Sequence, residues 1–462
     1  FIFRVMAEDG SESQIELQAW GSPYTLQRAG VEGVHFRTGE TVRIAAREST
    51  RRANRYVLTH TLLPTGLEVV LNLNEQPLWS EDSIGSQADY FASDGEIIDA
   101  ALARGFKVYF QVSATRPPAA DTTGFSPSLG GVLAEDEPHL PNGRNAQQPM
   151  ADTTCLASDG IRAYIRALVR DLLQAYPRIS GFRPDWPEYP CYKLDEAFHD
   201  FSPHVRSWAR ARGWDFDGIR EQVGLLYEHL HGGLRNDDLE PFAAADGGRV
   251  MQASFLRRFP AITDWLRLKS ALSVDLLGHW RSAINDAGHE SVELSANAFM
   301  PPFSLFTGFD FAGAAAHCTA VSPKLYTMHW ALMVSFWGER LLQHNPGLDE
   351  GTVVRSLANL FDLDEGPSSA SLLSEYHYPE PDEPHPVPSA TQRRKISQVI
   401  AENAGHCAVT PIVHGYGPRE DFERRFELAA HSSTDGVWIN RYGYLSDHKL
   451  DSVGSIWRTA HG

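Results

Sequence analysis

The stretch Gly181-Phe-Arg-Pro-Asp-Trp-Pro-Glu-Tyr-Pro190 decides how this chain is read. It follows a segment in which Ile161, Tyr164, Ile165, Leu168, Val169, Leu172, Leu173 and Tyr176 fall at helical spacing and make one apolar face. Pro177 ends that helix, because proline lacks the amide that a helix interior needs. The quoted residues then open as a buried-strand pattern and break into a turn carrying Pro184, Pro187 and Pro190. With the strand pattern Lys107-Val-Tyr-Phe-Gln-Val-Ser113 ahead of the helix, the order is strand, helix, strand, which argues for a parallel sheet. The turn holds two carboxylates, Asp185 and Glu188, interleaved with Arg183, Trp186 and Tyr189. Acid–base chemistry on a sugar needs carboxylates beside flat apolar surface, mounted on something rigid such as a strand end. The plain alternative is a solvated surface loop.

Working outward, the same alternation recurs. Strand patterns stand at Val31–Phe36, Leu67–Leu73, Lys107–Ser113, Gly181–Asp185, Ser291–Asn297, Ala320–Thr327, Ala408–His414 and Gly436–Tyr442. Residues from about 40 to 62 and from about 93 to 103 read as helix, stopped by Pro64-Thr-Gly66 and Gly105. Residues from about 195 to 287 are mostly helical: Ser202-Pro203 is an N-cap with proline at the first helical position, and Gly213 is a stop. A later helix carries Trp265, Leu268, Leu272, Leu276, Trp280 and Ile284 on one side. Tyr378-Pro-Glu-Pro-Asp-Glu-Pro-His-Pro-Val-Pro388 is of low complexity and predicts an extended surface loop. Strands alternating with helices eight times predict an α/β fold of the (β/α)8 TIM-barrel type, with helical and loop insertions after strands 3, 4 and 6. On this reading residues 1–462 form a single catalytic domain, with a mainly helical insertion over about 190–287 and a loop and helical insertion over about 330–405. A doubly wound sheet is the competitor, but neither G-x-G-x-x-G nor G-x-x-x-x-G-K occurs.

Bulk composition narrows the function. The 462 residues carry 59 acidic against 41 basic side chains, a net charge of −18. Such a field repels nucleic acid and anionic membrane and suits a neutral or cationic small-molecule or oligosaccharide substrate. No run approaches the roughly 18 apolar residues of a membrane span. The first ten residues turn acidic too early for a signal peptide, so a cytoplasmic location is expected. Cys155, Cys191, Cys318 and Cys407 are scattered without C-x-x-C spacing, as reduced thiols would be. No cofactor is expected, and the helical insertion offers surface for a homo-oligomer or a roof over the site.

A barrel gathers its active site at the C-terminal ends of its strands. That rule collects Glu75 after strand 2, Gln111 or Ser113 on strand 3, Asp185 and Glu188 after strand 4, Asn297 on strand 5, His329 and Trp330 after strand 6, His414 on strand 7, and Asn440, Arg441 and Tyr442 on strand 8. Singly, each has a dull explanation: His414 reads as a hydrogen-bonded structural histidine and Asn440 as a turn cap. Strand ends in an idle barrel, however, need not all carry Glu, Asp, His, Asn, Arg and Trp.

Asp185-Trp-Pro-Glu-Tyr-Pro190, Lys324-Leu-Tyr-Thr-Met-His-Trp330 and Gly436-Val-Trp-Ile-Asn-Arg-Tyr-Gly-Tyr444 resemble the TIM-barrel glycoside-hydrolase superfamily, closest to its poorly characterised hypothetical-glycosidase barrels. The resemblance covers about 65 to 445 as an architecture and implies hydrolysis of a glycosidic bond. The chain departs from the best-known retaining pattern, since strand 7 ends in His414-Gly-Tyr-Gly417 without a carboxylate and Asn74-Glu75 ends strand 2 rather than strand 4. The expected roles are Glu188 as general acid beside Trp186 and Tyr189, and Asp185 as base or nucleophile, with Glu75 as the alternative. A carboxyl separation of about 5 Å would suit retention and about 6.5–9.5 Å inversion. Trp79, Trp186, Tyr326 and Trp330 are candidates for stacking on sugar faces, though core positions explain them as well. Arg183, Asn297, His329 and Arg441 would hydrogen-bond hydroxyls or a uronate.

Three other readings compete. Lys324 lies inside a strand and would serve a Schiff-base aldolase, unless it simply pairs with a carboxylate on a neighbouring strand. Glu75, Asp185, Glu188, His329 and His414 would have to converge to hold a metal, and no compact H-x-H or H-E-x-x-H spacing supports that. A non-catalytic carbohydrate-binding barrel needs only the aromatic and polar strand ends.

Overall fold

The computed structural model describes residues 98–115 and 136–462, apart from 148, 152, 245–248, 365–369, 434 and 442–443, together with the backbone of six strands within 1–71. The chain falls into two compact units: Phe1–Arg104, Pro118–Leu129 and Tyr442–Ser446 form one, while Gly105–Pro117, Gly130–Arg441 and Asp447–Gly462 form the other. Glu75 and Trp79 lie outside the described residues.

The first unit corrects the N-terminal part of the sequence reading. β1 (Ile2–Met6), β2 (Glu12–Glu16) and β3 (Val34–His35) make one three-stranded sheet, and β4 (Val42–Arg47), β5 (Arg55–His60) and β6 (Leu67–Leu71) make another. The expected helix over about 40–62 is thus two antiparallel strands, paired from Val42↔His60 to Arg47↔Arg55. The alanines at its centre favour a helix, but Val42, Ile44 and Ala46 alternate with polar Arg43 and Arg47, a period of two. The two stretches expected as barrel strands 1 and 2 belong here also: β3 pairs with β1, and β6 pairs antiparallel with β5. A strand pattern fixes which residues alternate, not which strand is the partner.

The second unit holds a parallel sheet whose strands are β7 (Tyr109–Ser113), β8 (Gly181–Asp185), β9 (Glu293–Ala298), β10 (Ala320–Leu325), β11 (Ala408–Val409), β12 (Ile412–His414) and β13 (Trp438–Asn440). Its order is β7-β8-β9-β10-β12-β13, with β11 paired to β10. The strands follow chain order without reversal, as in a singly wound barrel and unlike a doubly wound sheet, which reverses at a switch point. The Tyr109 and Trp438 rings, from the two outermost strands, meet edge to face at 5.2 Å. A flat six-strand sheet would hold them about 24 Å apart at the usual strand spacing, so the sheet is curled. Hydrogen bonding between β7 and β13 is lacking among the described residues, which leaves a half-barrel.

Helices cover the outer face. α1 (Asp159–Ala175) buries Ile161, Ile165, Val169 and Leu173, as its periodicity predicts, and Ser158 caps it by accepting from the Ile161 amide. α2 (Pro203–Ala211) starts at the Ser202 cap. α3 (Phe216–Glu228), α4 (Asn236–Ala243) and α5 (Arg249–Leu256) continue the helical region, and α6 (Ile262–Asp286) presents Trp265, Leu268, Leu272, Leu276, Trp280 and Ile284 inward. Trp280 packs on Phe182 of β8 at 6.0 Å, and its indole donates to the Ala114 carbonyl at 2.9 Å. Burying each of these rings stabilises the layer by about 2–3 kcal/mol. After β9 come two short helices, α7 (Phe303–Thr307) and α8 (Phe311–Ala314); α9 (Thr327–His344) and α10 (Glu350–Leu360) follow β10, and α11 (Ser389–Asn403), α12 (Arg419–Ser432) and α13 (Asp447–His461) complete the order. All four cysteines are free thiols.

Candidate active site

Because side chains alternate along a strand, Phe182 faces the helices while its neighbour Arg183 and, two further on, Asp185 face the concave side. Ser113, Asp185 and Asn297 are register partners on β7, β8 and β9, so they share one layer at the C-terminal ends. His414 and Asn440 are partners on β12 and β13. Of the residues collected by the strand-end rule, Asp185, Asn297, His414 and Asn440 stand at strand ends of the sheet, and Lys324 of β10 joins them through Asp185.

The centre of the layer is an ion pair. Lys324 Nζ lies 2.6 Å from Asp185 Oδ1, with the lysine 3% exposed and the aspartate side chain 25% exposed. This is the carboxylate partner on a nearby strand that the sequence left open for Lys324. The pair is poorly aligned, and neither Nζ nor Oδ1 has a directional hydrogen bond. Gln111 Nε2 donates weakly to the other oxygen of Asp185, at 3.4 Å. The ammonium also lies 4.8 Å from the centre of the Trp186 ring and 5.4 Å from that of Phe299, within cation–π range. Beneath it, Arg183 donates to Asn297 Oδ1 at 2.8 Å and stacks on Trp438 at 3.7 Å, leaving its Nε and Asn297 Nδ2 without partners. Burial pulls the Arg183 guanidinium down to about 10.

Glu188 stands in a different environment. It is fully buried; Oε1 accepts from the Phe299 amide at 2.7 Å and Oε2 from the Thr307 hydroxyl. Burial pushes its carboxyl up to about 7, against the charge-stabilising pull of Lys324, Thr307 and the Phe299 amide. Thr307 also reaches the Ser304 carbonyl at 3.2 Å, so its single proton has two acceptors. A protonated Glu188 can therefore donate to Thr307 while Thr307 donates to Ser304.

The rim is aromatic. Tyr326 receives a hydrogen bond from Asn440 Nδ2 at 2.6 Å and meets His329 and His414 edge-on at 5.6 and 5.3 Å. Burial and then the nearby Lys324 and Arg441 lower His329 to about 4; burial and the neighbouring His329 and Arg425 keep His414 neutral as well. Trp186, Tyr192 and Phe299 continue the wall at 6.3 and 5.2 Å spacings. Trp186 and Arg441 each follow a strand directly and take left-handed backbone, at φ 56° and 66°, a conformation rare in such residues that clusters at functional sites.

Several expectations need correction. Tyr189 is fully buried, donating to Asp200 at 3.0 Å, and Trp330 is 1% exposed against Phe303, so both are core residues that burial withdraws from the mouth. β10 stops at Leu325, and His329 and Trp330 sit in the first turns of α9. The Tyr378–Pro388 stretch is more than a surface loop: His385 and Val387 are buried, His385 bonds Thr327 at 2.7 Å, and Tyr378 faces His329 at 5.9 Å. Sequence reasoning did not single out Tyr192, Phe299 and Trp438 as site residues; Phe299 directly follows β9, and Trp438 opens β13 inside the Gly436–Tyr444 motif. A surface groove of about 770 Å³ lies elsewhere, along α6 among Trp208, Trp214 and Leu305. Among the described residues no three His, Cys, Asp or Glu side chains converge to hold a metal, and no helix is long and apolar enough to cross a membrane.

No family model and no curated protein matches this chain. Solved structures similar to it include the β-galactosidase of the psychrophilic Marinomonas ef1, at 12% identity and a TM-score of 0.44, covering 79% of this chain and 51% of that one. The catalytic domain of β-amylase from Paenibacillus polymyxa is similar at 10% identity and a TM-score of 0.44, covering 80% of this chain and 86% of that one. The chain spans about half the length of the β-galactosidase.

Proposed function

We propose that the protein is a glycoside hydrolase that cleaves a glycosidic bond by carboxylate acid–base chemistry, with Asp185 as the carboxylate that meets the substrate. One observation carries the reading: Asp185 at the end of β8 and Glu188 three residues on sit in opposed environments. Asp185 is partly exposed and paired with an ammonium, whereas burial holds the Glu188 carboxyl near 7. Opposed environments of this kind let one carboxyl group be ionised while its neighbour is protonated, as glycosidic cleavage requires. Glu188 is the proton-holding partner. It reaches a glycosidic oxygen only by releasing Thr307 and the Phe299 amide, so the pH profile is the readout for its role as acid. In this reading Trp186 and Tyr326 offer faces for a sugar ring, Asn440 and His414 offer polar contacts at the rim, and Lys324 is the counter-ion of Asp185 rather than a Schiff-base nucleophile.

The test is the rate on a panel of aryl glycosides. Asp185→Asn should lower the rate on any glycoside that the wild type cleaves by about 10³-fold, within the range for losing a general acid or base. A near-normal rate overturns the proposal. Glu188→Gln should remove the fall in rate above about pH 7; an unchanged alkaline limb takes the acid role from Glu188.

A further inference from the structure

The mouth is cationic in a chain that is strongly acidic. Lys324 and Arg183 both act on the partly exposed carboxylate of Asp185, and Arg441 shares their rim: Lys324 and Arg441 both bear on His329, and Arg183 and Arg441 both bear on Tyr326. Burial keeps His329 and His414 neutral, so they neither add to nor offset that charge near neutrality. Arg183 and Asn297, both more than nine-tenths buried, carry unpartnered donors at Nε and Nδ2, and the equally buried Lys324 Nζ has only its misaligned contact with Asp185. Unmatched buried donors cost about 1–3 kcal/mol each, and proteins seldom keep two side by side next to a buried ammonium without an acceptor to meet them.

Resting on the glycosidase reading, we infer that this site selects an anionic sugar, a uronoside whose carboxylate is received among Lys324, Arg183 and Asn297. A carboxylate is the matching acceptor in both charge and number, since its two oxygens can meet the free donors of Arg183 and Asn297 while its charge faces Lys324. A single negative charge also suits the balance at the mouth. Lys324 and Arg183 against the one charge of Asp185 leave a single positive charge in excess, which one carboxylate balances and a doubly charged phosphate would exceed. The remaining hydroxyls fall to Asn440 and His414, and the ring to Trp186 and Tyr326.

Isothermal titration of the whole protein with glucuronate, galacturonate, glucose, galactose and glucose 6-phosphate tests this without relying on turnover. At least one uronate should bind about tenfold more tightly than its neutral counterpart. Lys324→Met should erase that preference, and Arg441→Gln, at an exposed position, should weaken it about two- to threefold and reduce its salt dependence. Equal binding of uronate and neutral sugar, or a preference that survives Lys324→Met, overturns the inference; tighter binding of glucose 6-phosphate assigns the cluster to phosphate and overturns it too. Cleavage of neutral aryl glycosides with no uronate preference leaves the hydrolase reading standing and removes this one. Uronate binding without cleavage of any aryl uronide does the reverse.

Discussion

Two sets of buried cations in this molecule are treated in opposite ways. In the helical layer, Arg425 is fully buried and every arm is matched: it donates to Asp421 Oδ2 at 2.8 Å, the His414 carbonyl at 2.8 Å and the Tyr416 carbonyl at 2.6 Å. Lys395, also fully buried, donates to the Pro301 and Phe361 carbonyls at 3.0 and 2.7 Å. At the strand ends, Lys324 has one misaligned carboxylate, and Arg183 keeps an unpartnered Nε. The first set is saturated by its own fold, as structural polar groups are. The second retains bonding capacity, and retained capacity beside aromatic faces is what a binding site looks like before its substrate arrives.

The largest effect that would sharpen this contrast is catalytic. Asp185→Asn should reduce turnover about 10³-fold with little change in the unfolding midpoint, because the mouth does not hold the fold together; a collapse in stability with activity per folded molecule intact would break the contrast. Next, Arg425→Met should destabilise by about 3 kcal/mol in chemical denaturation, since it leaves Asp421 with only the half-exposed Arg424 and frees two carbonyls. The titration of Glu188 should come third. Its folded carboxyl, near 7, lies above the ordinary glutamate value of 4.5, so the native state holds the proton more tightly than the unfolded chain. Stability from this group is full at low pH and is lost as pH rises from about 4.5 through about 7. Relative to Glu188→Gln, the wild type should therefore lose on the order of 2 kcal/mol across that window, measured by denaturation at several pH values. Lys324→Met should cost only about 1 kcal/mol, because the partly exposed Asp185 can rehydrate; a cost matching that of Arg425→Met would place both cations in the same structural class. Smallest of all, Arg166→Ala, which removes a surface ion pair with Asp286, should change stability by about 0.5 kcal/mol or less.

Legibility followed the range of the interactions involved. The α1 face, the Ser202 cap and the six stretches that hold the parallel strands were readable because their signals are local, although Ala408–His414 breaks into β11 and β12. The same local signals misled in the N-terminal region, where an alanine-rich centre suggested a helix and two sound strand patterns were assigned to the wrong sheet. Asp185 and Asn297 were legible as strand ends. Glu188 was legible only as a nearby acid, because nothing local tells that Phe299 and Thr307 enclose it. Trp330 and Tyr189 looked like Trp186, an aromatic near a polar turn, yet burial sends the first two to the core.

The sequence by itself determined the helices, the strands of the parallel sheet and their order along the chain, since hydrophobic periodicity and chain stops are properties of short segments. It also put acids, amides and aromatics at strand ends. Only the tertiary structure decided that Lys324 would meet Asp185, that Arg183 would lie on Trp438 and that burial would lift Glu188 toward 7. Those facts depend on which strands curl together and what is excluded from water between them, and both arise from contacts more than 100 residues apart, such as that between Asp185 and Lys324.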